Sequence, residues 1–177
     1  MKMFKFFESQ GNDWRDNEYF DEVWKERIKV LASYLEEADS KLCDIGCGEQ
    51  WTRKLIPERI AYYPVDYVSR SKDTFICDLN KKELPPSSSL ESVVFCSGVL
   101  EYVEDLEWFV QRLERSQKVI CSYCTLEKFS NLKMRRRLAW KNDLTLNDLI
   151  VLFLKNGFVL QRIDEIRNNT TFCFKRL

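Results

Sequence analysis

The sequence predicts an α/β domain. A mostly parallel, seven-stranded sheet sits between two layers of helices as a three-layer sandwich, closed by a C-terminal antiparallel hairpin. Three observations carry that expectation. Short apolar runs of strand length alternate with segments of helical period. The first of these runs, Lys41-Leu42-Cys43-Asp44-Ile45, passes directly into the glycine turn Gly46-Cys47-Gly48. The last two, Phe158-Val159-Leu160 and Thr171-Phe172-Cys173-Phe174, have no helix between them and therefore pair antiparallel. At 177 residues, one domain over 1–177 is expected, with a cover region at 1–40, a core at 41–177 and a basic insertion at 127–141.

Taken in order, residues 17–37 carry Phe20, Val23, Trp24, Arg27, Ile28, Leu31 and Leu35 at three- and four-residue spacings, which predicts a helix covering the sheet. Trp14, Arg15 and Tyr19, just before and within it, are candidates for a lid over a ligand pocket. The strand at Lys41 then feeds the glycine turn. Glycines there permit positive φ and close approach of a ligand to the main chain. The short helix expected at 51–55 would aim free N–H groups at that ligand.

Three kinds of loop fit a strand, a glycine turn and a helix. A phosphate-cradling loop needs Gly-Lys-Ser/Thr, which does not occur. A dinucleotide fingerprint needs a third glycine where Trp51 stands, and Asp44 would repel a pyrophosphate. Asp44-x-Gly46-x-Gly48 instead resembles the first motif of the class I, Rossmann-like S-adenosylmethionine-dependent methyltransferases, Asp/Glu-x-Gly-x-Gly-x-Gly, with Gln50 at the third glycine position. A sulfonium and an ammonium suit an acidic loop. The Gln50 side chain is expected to swing out while its N–H serves the ligand. The plain alternative is a tight turn that binds nothing.

Ile60-Ala61-Tyr62-Tyr63-Pro64-Val65-Asp66 reads as the second strand, with Pro64 marking an irregularity. Asp66 lies 18 positions after Gly48, close to the ~20 expected for an acid that accepts ribose hydroxyls. Thr74-Phe75-Ile76-Cys77-Asp78-Leu79 is the third. The resemblance implies that Asp78 meets the adenine amino group and that Leu79 packs on the ring. Acids at the C-terminal ends of successive strands lie where open α/β sheets bind ligands.

After the loop Leu84-Pro85-Pro86-Ser87-Ser88-Ser89, the run from Leu90 to Ser97 is a buried strand. Gly98-Val99-Leu100-Glu101-Tyr102-Val103 resembles the family's fourth motif, with Tyr102 where histidine is frequent. The resemblance implies that Ser97 and Gly98, with Cys47 in the glycine turn, line the cofactor. Leu106, Phe109, Val110 and Leu113 mark a helix, and Lys118-Val119-Ile120-Cys121-Ser122-Tyr123 a fifth strand. Cys121-x-x-Cys124 lacks the second pair a zinc site requires and reads as core. In the basic segment 127–141, Arg135, Arg136 and Trp140 are candidates for recognising an anionic acceptor, against the ordinary reading of a solvated helix face. Thr145-Leu146-Asn147-Asp148 has capping-box spacing, with a helix running to Asn156-Gly157.

Lysine plus arginine and aspartate plus glutamate both total 28, so no global field draws the chain to nucleic acid. No run approaches a membrane span, and the N-terminus lacks the pattern of a signal peptide. Seven scattered cysteines read as reduced thiols, hence a cytoplasmic protein. There is no histidine, the commonest general base, and Glu101 and Tyr102 are the nearest substitutes. The resemblance, covering about 41–174, implies S-adenosylmethionine as cofactor, no metal, and methyl transfer to a small-molecule or glycan-type oxygen or nitrogen. Two alternatives stay open: a non-catalytic nucleoside-binding module, and a protein or nucleic-acid acceptor.

Overall fold

The computed structural model describes residues 22–177. Trp14, Arg15 and Tyr19, the candidate lid, lie outside them. The strands are β1 (Lys41–Ile45), β2 (Ala61–Asp66), β3 (Phe75–Ile76), β4 (Val93–Cys96), β5 (Lys118–Tyr123), β6 (Phe158–Ile166) and β7 (Asn169–Arg176). They form one sheet in the order β3-β2-β1-β4-β5-β7-β6. The first five are mutually parallel, and β7 enters antiparallel between β5 and β6.

Helices α1 (Glu22–Ala32), α2 (Leu106–Gln111), α3 (Leu132–Arg137) and α4 (Leu146–Lys155) complete the fold. Strand alternation divides the core in two. Val93, Phe95, Ile120 and Cys173 face Ile28 and Leu31 of α1, whereas Val94, Cys96, Val119, Cys121, Phe172 and Phe174 face α2 and α4. All seven cysteines are buried free thiols, Cys121 and Cys124 included. The capping box at Thr145 and Asp148 is formed in both directions.

Three expected elements are shorter than their sequence patterns. Helix α1 stops at Ala32, and 51–55 holds only the 3-10 turn Thr52–Lys54. Strand β3 has two residues, because Asp78 leaves the sheet to cap the 3-10 turn Leu79–Lys81. Pro64 is tolerated for a geometric reason. The Ala61 N–H and the Val65 carbonyl bond toward β1, so alternation turns the Pro64 nitrogen toward β3, whose pairing begins only at Val65.

At the sheet edge away from the glycine turn, the buried Lys118 ammonium contacts Asp39 at 2.7 Å and Glu36 at 3.0 Å. This buried pair ties the segment before β1 to the start of β5. No described helix is long and apolar enough to cross a membrane.

Candidate functional site

The predicted cofactor residues lie at or just beyond the C-terminal ends of β1 to β4, with the Asp44 and Leu79 side chains turned inward. The glycine turn leaves β1 with Gly46 at φ +72° and Gly48 at φ +48°. The Gly46 and Cys47 N–H groups bond the Val65 carbonyl of β2, fixing the turn to its neighbour strand. A Cβ on Gly46 would lie 2.3 Å from Val99 Cγ2, so the turn and the loop after β4 touch across the edge.

Gln50 occupies its glycine-like position in a glycine-like conformation, φ +53°. Its side chain is turned away from the turn, with Nε2 donating to Ser71 Oγ at 2.6 Å, as expected. Its N–H, expected to serve a ligand, instead donates to the Cys47 carbonyl at 2.8 Å. The side chain's bond to the loop after β2 holds a left-handed backbone that a glycine would adopt unaided.

Asp44 does not present its carboxylate to the edge. It is buried, accepts the Tyr62 hydroxyl at 2.5 Å, and is also bonded by the Thr52 side chain. It therefore braces the 3-10 turn against β2. Burial pushes its carboxyl up to about 6, aided by the nearby Asp66 charge and opposed by the Tyr62 and Thr52 hydrogen bonds. The folded chain thus holds this proton more tightly than the unfolded chain, whose aspartates titrate near 3.9. Its contribution to stability is fully present below pH ~4 and is lost as pH rises to about 6. At roughly 1.4 kcal/mol per unit, the loss is about 3 kcal/mol. Asp44→Asn should remove that decline, so the stability difference between variant and parent should grow from pH 4 to pH 7 in urea titrations. A pH-independent difference would refute the assignment.

Asp66 is buried at the end of β2. Oδ2 accepts the Gly48 N–H at 2.9 Å and lies 3.4 Å from Arg70 Nε, and Oδ1 accepts the Val68 N–H at 3.1 Å. An ionised carboxylate offers about four lone-pair directions, so acceptor capacity for a vicinal diol remains. Asp78 caps its 3-10 turn by accepting the Asn80 N–H at 3.0 Å. Leu79, in that 3-10 turn, is buried as part of the core on the α2 and α4 side of the sheet.

Ser97 and Gly98 close the edge beyond β4. The Gly98 N–H donates to Ser122 Oγ at 2.8 Å, and Ser97 receives Arg27 of α1 through both its hydroxyl, at 3.0 Å, and its carbonyl, at 3.3 Å. Glu101 lies in the following 3-10 turn, Leu100–Tyr102, and is buried. Oε1 accepts the Cys124 N–H at 2.8 Å, and Oε2 is a buried oxygen with no hydrogen-bond partner among the described residues. Burial raises this carboxyl above the ordinary glutamate range, against the pull of Arg27 and Arg135. Tyr102 is half-buried, and its carbonyl accepts the Asn80 side chain at 3.1 Å.

The basic segment needs correction. Arg135 is fully buried and donates to the Cys124, Phe129 and Asn142 carbonyls, the Tyr123 hydroxyl and Asp143. Its donors are consumed by the segment itself, so it is a scaffold residue and not an acceptor-facing fork. Trp140 lies 4.7 Å over that guanidinium and meets Phe129 edge-on. Arg136 alone of the three is exposed, paired with Asp143. The contacts of Arg27 with Ser97 and of Tyr62 with Asp44 were not foreseen from the sequence. The signal for Arg27 was a charge standing on an otherwise apolar helical stripe.

No known family profile matches the sequence, and no curated protein is similar to it at a significant level. Similarity in three dimensions is extensive. Magnesium protoporphyrin IX methyltransferase from Synechocystis PCC 6803, solved with bound SAH, superposes with a TM-score of 0.68 over 98% of this chain and 97% of its own, at 16% identity. The fold is that of the class I methyltransferases. A putative methyltransferase from Haloferax volcanii, solved in complex with the Trm112 activator, gives 0.68 over 87% and 89% at 10% identity. NcsB1, an O-methyltransferase from neocarzinostatin biosynthesis solved with S-adenosylmethionine and 2-hydroxy-5-methyl naphthoic acid, gives 0.66 over 97% of this chain and 61% of its own, at 14% identity.

Proposed function

We propose that this chain transfers a methyl group from S-adenosylmethionine to an oxygen or nitrogen of a small-molecule or glycan-type acceptor. The observation that carries the reading is the alignment, along one sheet edge, of a left-handed glycine turn, a carboxylate with spare acceptor capacity at Asp66, Asp78, and the Ser97-Gly98 turn. These residues fit the cofactor. Exposed Gly46 offers bare backbone to the methionine end, and the Asp66 oxygens can accept a ribose diol. Asp78, seated in the loop after β3, can accept an exocyclic amine. When bound, the cofactor supplies a methyl carbon activated by its sulfonium.

The chain's own task is then placement. Forming the new bond to the acceptor, as the carbon–sulfur pair returns to sulfur, requires the two in line at ~3–3.5 Å. A neutral amine needs little more than this. A hydroxyl must also lose its proton, and Glu101 is the candidate base, fixed through Oε1 by the Cys124 N–H. Its Oε2 is closed to solvent, so that role requires acceptor binding to open the turn carrying it.

Calorimetric titration with S-adenosylmethionine, followed by a labelled-methyl screen over sugars, phenols and amines, tests the proposal. Binding with transfer to one of these classes is expected. Absence of binding at millimolar cofactor would sink it, and binding with no transfer would favour a nucleoside-binding module.

A further inference from the structure

The 3-10 turn Leu100–Tyr102, which carries Glu101, has its carbonyls held by donors from outside it. Asn142 Nδ2 donates to the Leu100 carbonyl at 2.7 Å and to the Val103 carbonyl at 2.8 Å, and the Lys141 N–H donates to the Glu101 carbonyl at 2.7 Å. These donors come from the segment after α3. The Tyr102 carbonyl is taken instead from the loop after β3, by Asn80 Nδ2 at 3.1 Å, and Asn80 Oδ1 accepts the Glu104 N–H at 2.9 Å. One amide side chain, using a donor and its acceptor, thus clasps the exit of the turn at two points.

Asn80 belongs to the cofactor half of the site. It sits in the 3-10 turn Leu79–Lys81, and its own N–H is the one that Asp78 Oδ1 caps at 3.0 Å. The Asp78 N–H is held in turn by Glu83 Oε2 at 2.8 Å. Asp78 and Glu101 are therefore joined by one short chain: the Asp78 carboxylate, the backbone and then the side chain of Asn80, and the backbone from Tyr102 back to Glu101. Asp78 Oδ2 lies 3.7 Å from Lys81 Nζ, beyond hydrogen-bond reach, so it keeps acceptor capacity. An amine bound there would pin the same carboxylate that caps Asn80.

We propose that Asn80 couples the two halves of this edge, so that a cofactor on Asp78 tightens the turn that carries Glu101. Asn80 is then a positioning residue, acting on Glu101 through Tyr102 and Glu104. This rests on the methyltransferase reading, which places the adenine amine on Asp78. The coupling goes further, because it makes the setting of the candidate base depend on whether the cofactor is in place.

Amide hydrogen exchange with and without saturating S-adenosylhomocysteine tests the coupling. The reporters are the Lys141 and Cys124 N–H groups, both bonded to Glu101, with the amides of β7 as reference. In the parent, the ligand should slow both reporters roughly tenfold more than it slows β7. In Asn80→Ala that excess should fall below about twofold with ligand still bound. Asn80→Asp keeps an acceptor for the Glu104 N–H but loses the donor to Tyr102, and should fall between the two. Asn80 is exposed, so both variants should fold. Reporters that exchange faster in Asn80→Ala by the same factor with and without ligand would make Asn80 a staple of the turn and overturn the proposal. So would parent reporters slowed no more than β7, which is ordinary stabilisation by a bound ligand. Parent protein that binds no S-adenosylhomocysteine at millimolar concentration fails the methyltransferase reading itself, a pattern distinct from either.

Discussion

Arg135→Leu should destabilise the fold by about 3–5 kcal/mol, the cost of breaking a buried, hydrogen-bonded charge site. The side chain is fully buried and gathers the segment from Cys124 to Asp143 around itself. Nη1 holds the Cys124 carbonyl at 2.8 Å and the Phe129 carbonyl at 3.2 Å, while Nη2 holds the Tyr123 hydroxyl at 3.1 Å and the Asn142 carbonyl at 3.2 Å. Leucine would leave these acceptors in a site closed to water, and each orphaned group costs ~1–3 kcal/mol. Asn142 carries the damage onward, because its Nδ2 caps the Leu100 and Val103 carbonyls, and the Lys141 N–H caps that of Glu101. The turn bearing Glu101 hangs from the same hub. A melting-temperature fall of about 6–20 °C is expected at 2–4 °C per kcal/mol for a chain of this size. Trypsin should then cut faster at Lys133, Arg136 and Arg137. Arg135→Lys should recover less than half, since one ammonium cannot serve acceptors spread around a planar fork. Cofactor affinity should hold within about threefold, because the glycine turn lies on the other half of the edge. A loss under ~1 kcal/mol would mean that the segment does not depend on this residue.

The order of elements was legible because hydrophobic period and turn chemistry agree at each step. Apolar runs at 41–45 and 118–123, a capping box at Thr145, and two final strands without a helix leave few topologies open. What was not legible depends on which neighbour a polar side chain finds. Arg135 and Arg136 are adjacent in a basic run, and only the fold turns one into the interior and the other to solvent. Asp44 and Asp66 look alike at strand ends, but Tyr62 reaches Asp44 from the adjacent strand and seals it inward. Leu79 follows its aspartate as the family pattern has it, and a 3-10 turn sends it to the core. Gln50 reads as a broken motif, although its backbone keeps the glycine's conformation through a contact 21 residues away.

Gly46→Ala should be the most damaging single change in the glycine turn, for two separable reasons. At φ +72° a Cβ costs about 1–2 kcal/mol from local sterics alone. The same Cβ would sit 2.3 Å from Val99 Cγ2, where one of them must move, while the other Val99 carbons stand at 3.6 and 3.8 Å, an ordinary contact range. A total of roughly 2–3 kcal/mol is expected by urea denaturation. Pairing the change with Val99→Ala removes the clashing methyl but leaves the backbone cost. The double variant should therefore recover about half of the stability lost, measured against Val99→Ala alone. Affinity for S-adenosylmethionine separates packing from function. If the exposed Gly46 backbone is where the methionine end approaches, the added methyl should weaken binding by more than about tenfold, and the double variant should stay weak although its fold is restored. Full return of affinity with Val99→Ala would show that Gly46 serves only the contact between the two loops, and that the ligand approaches the chain elsewhere on this edge.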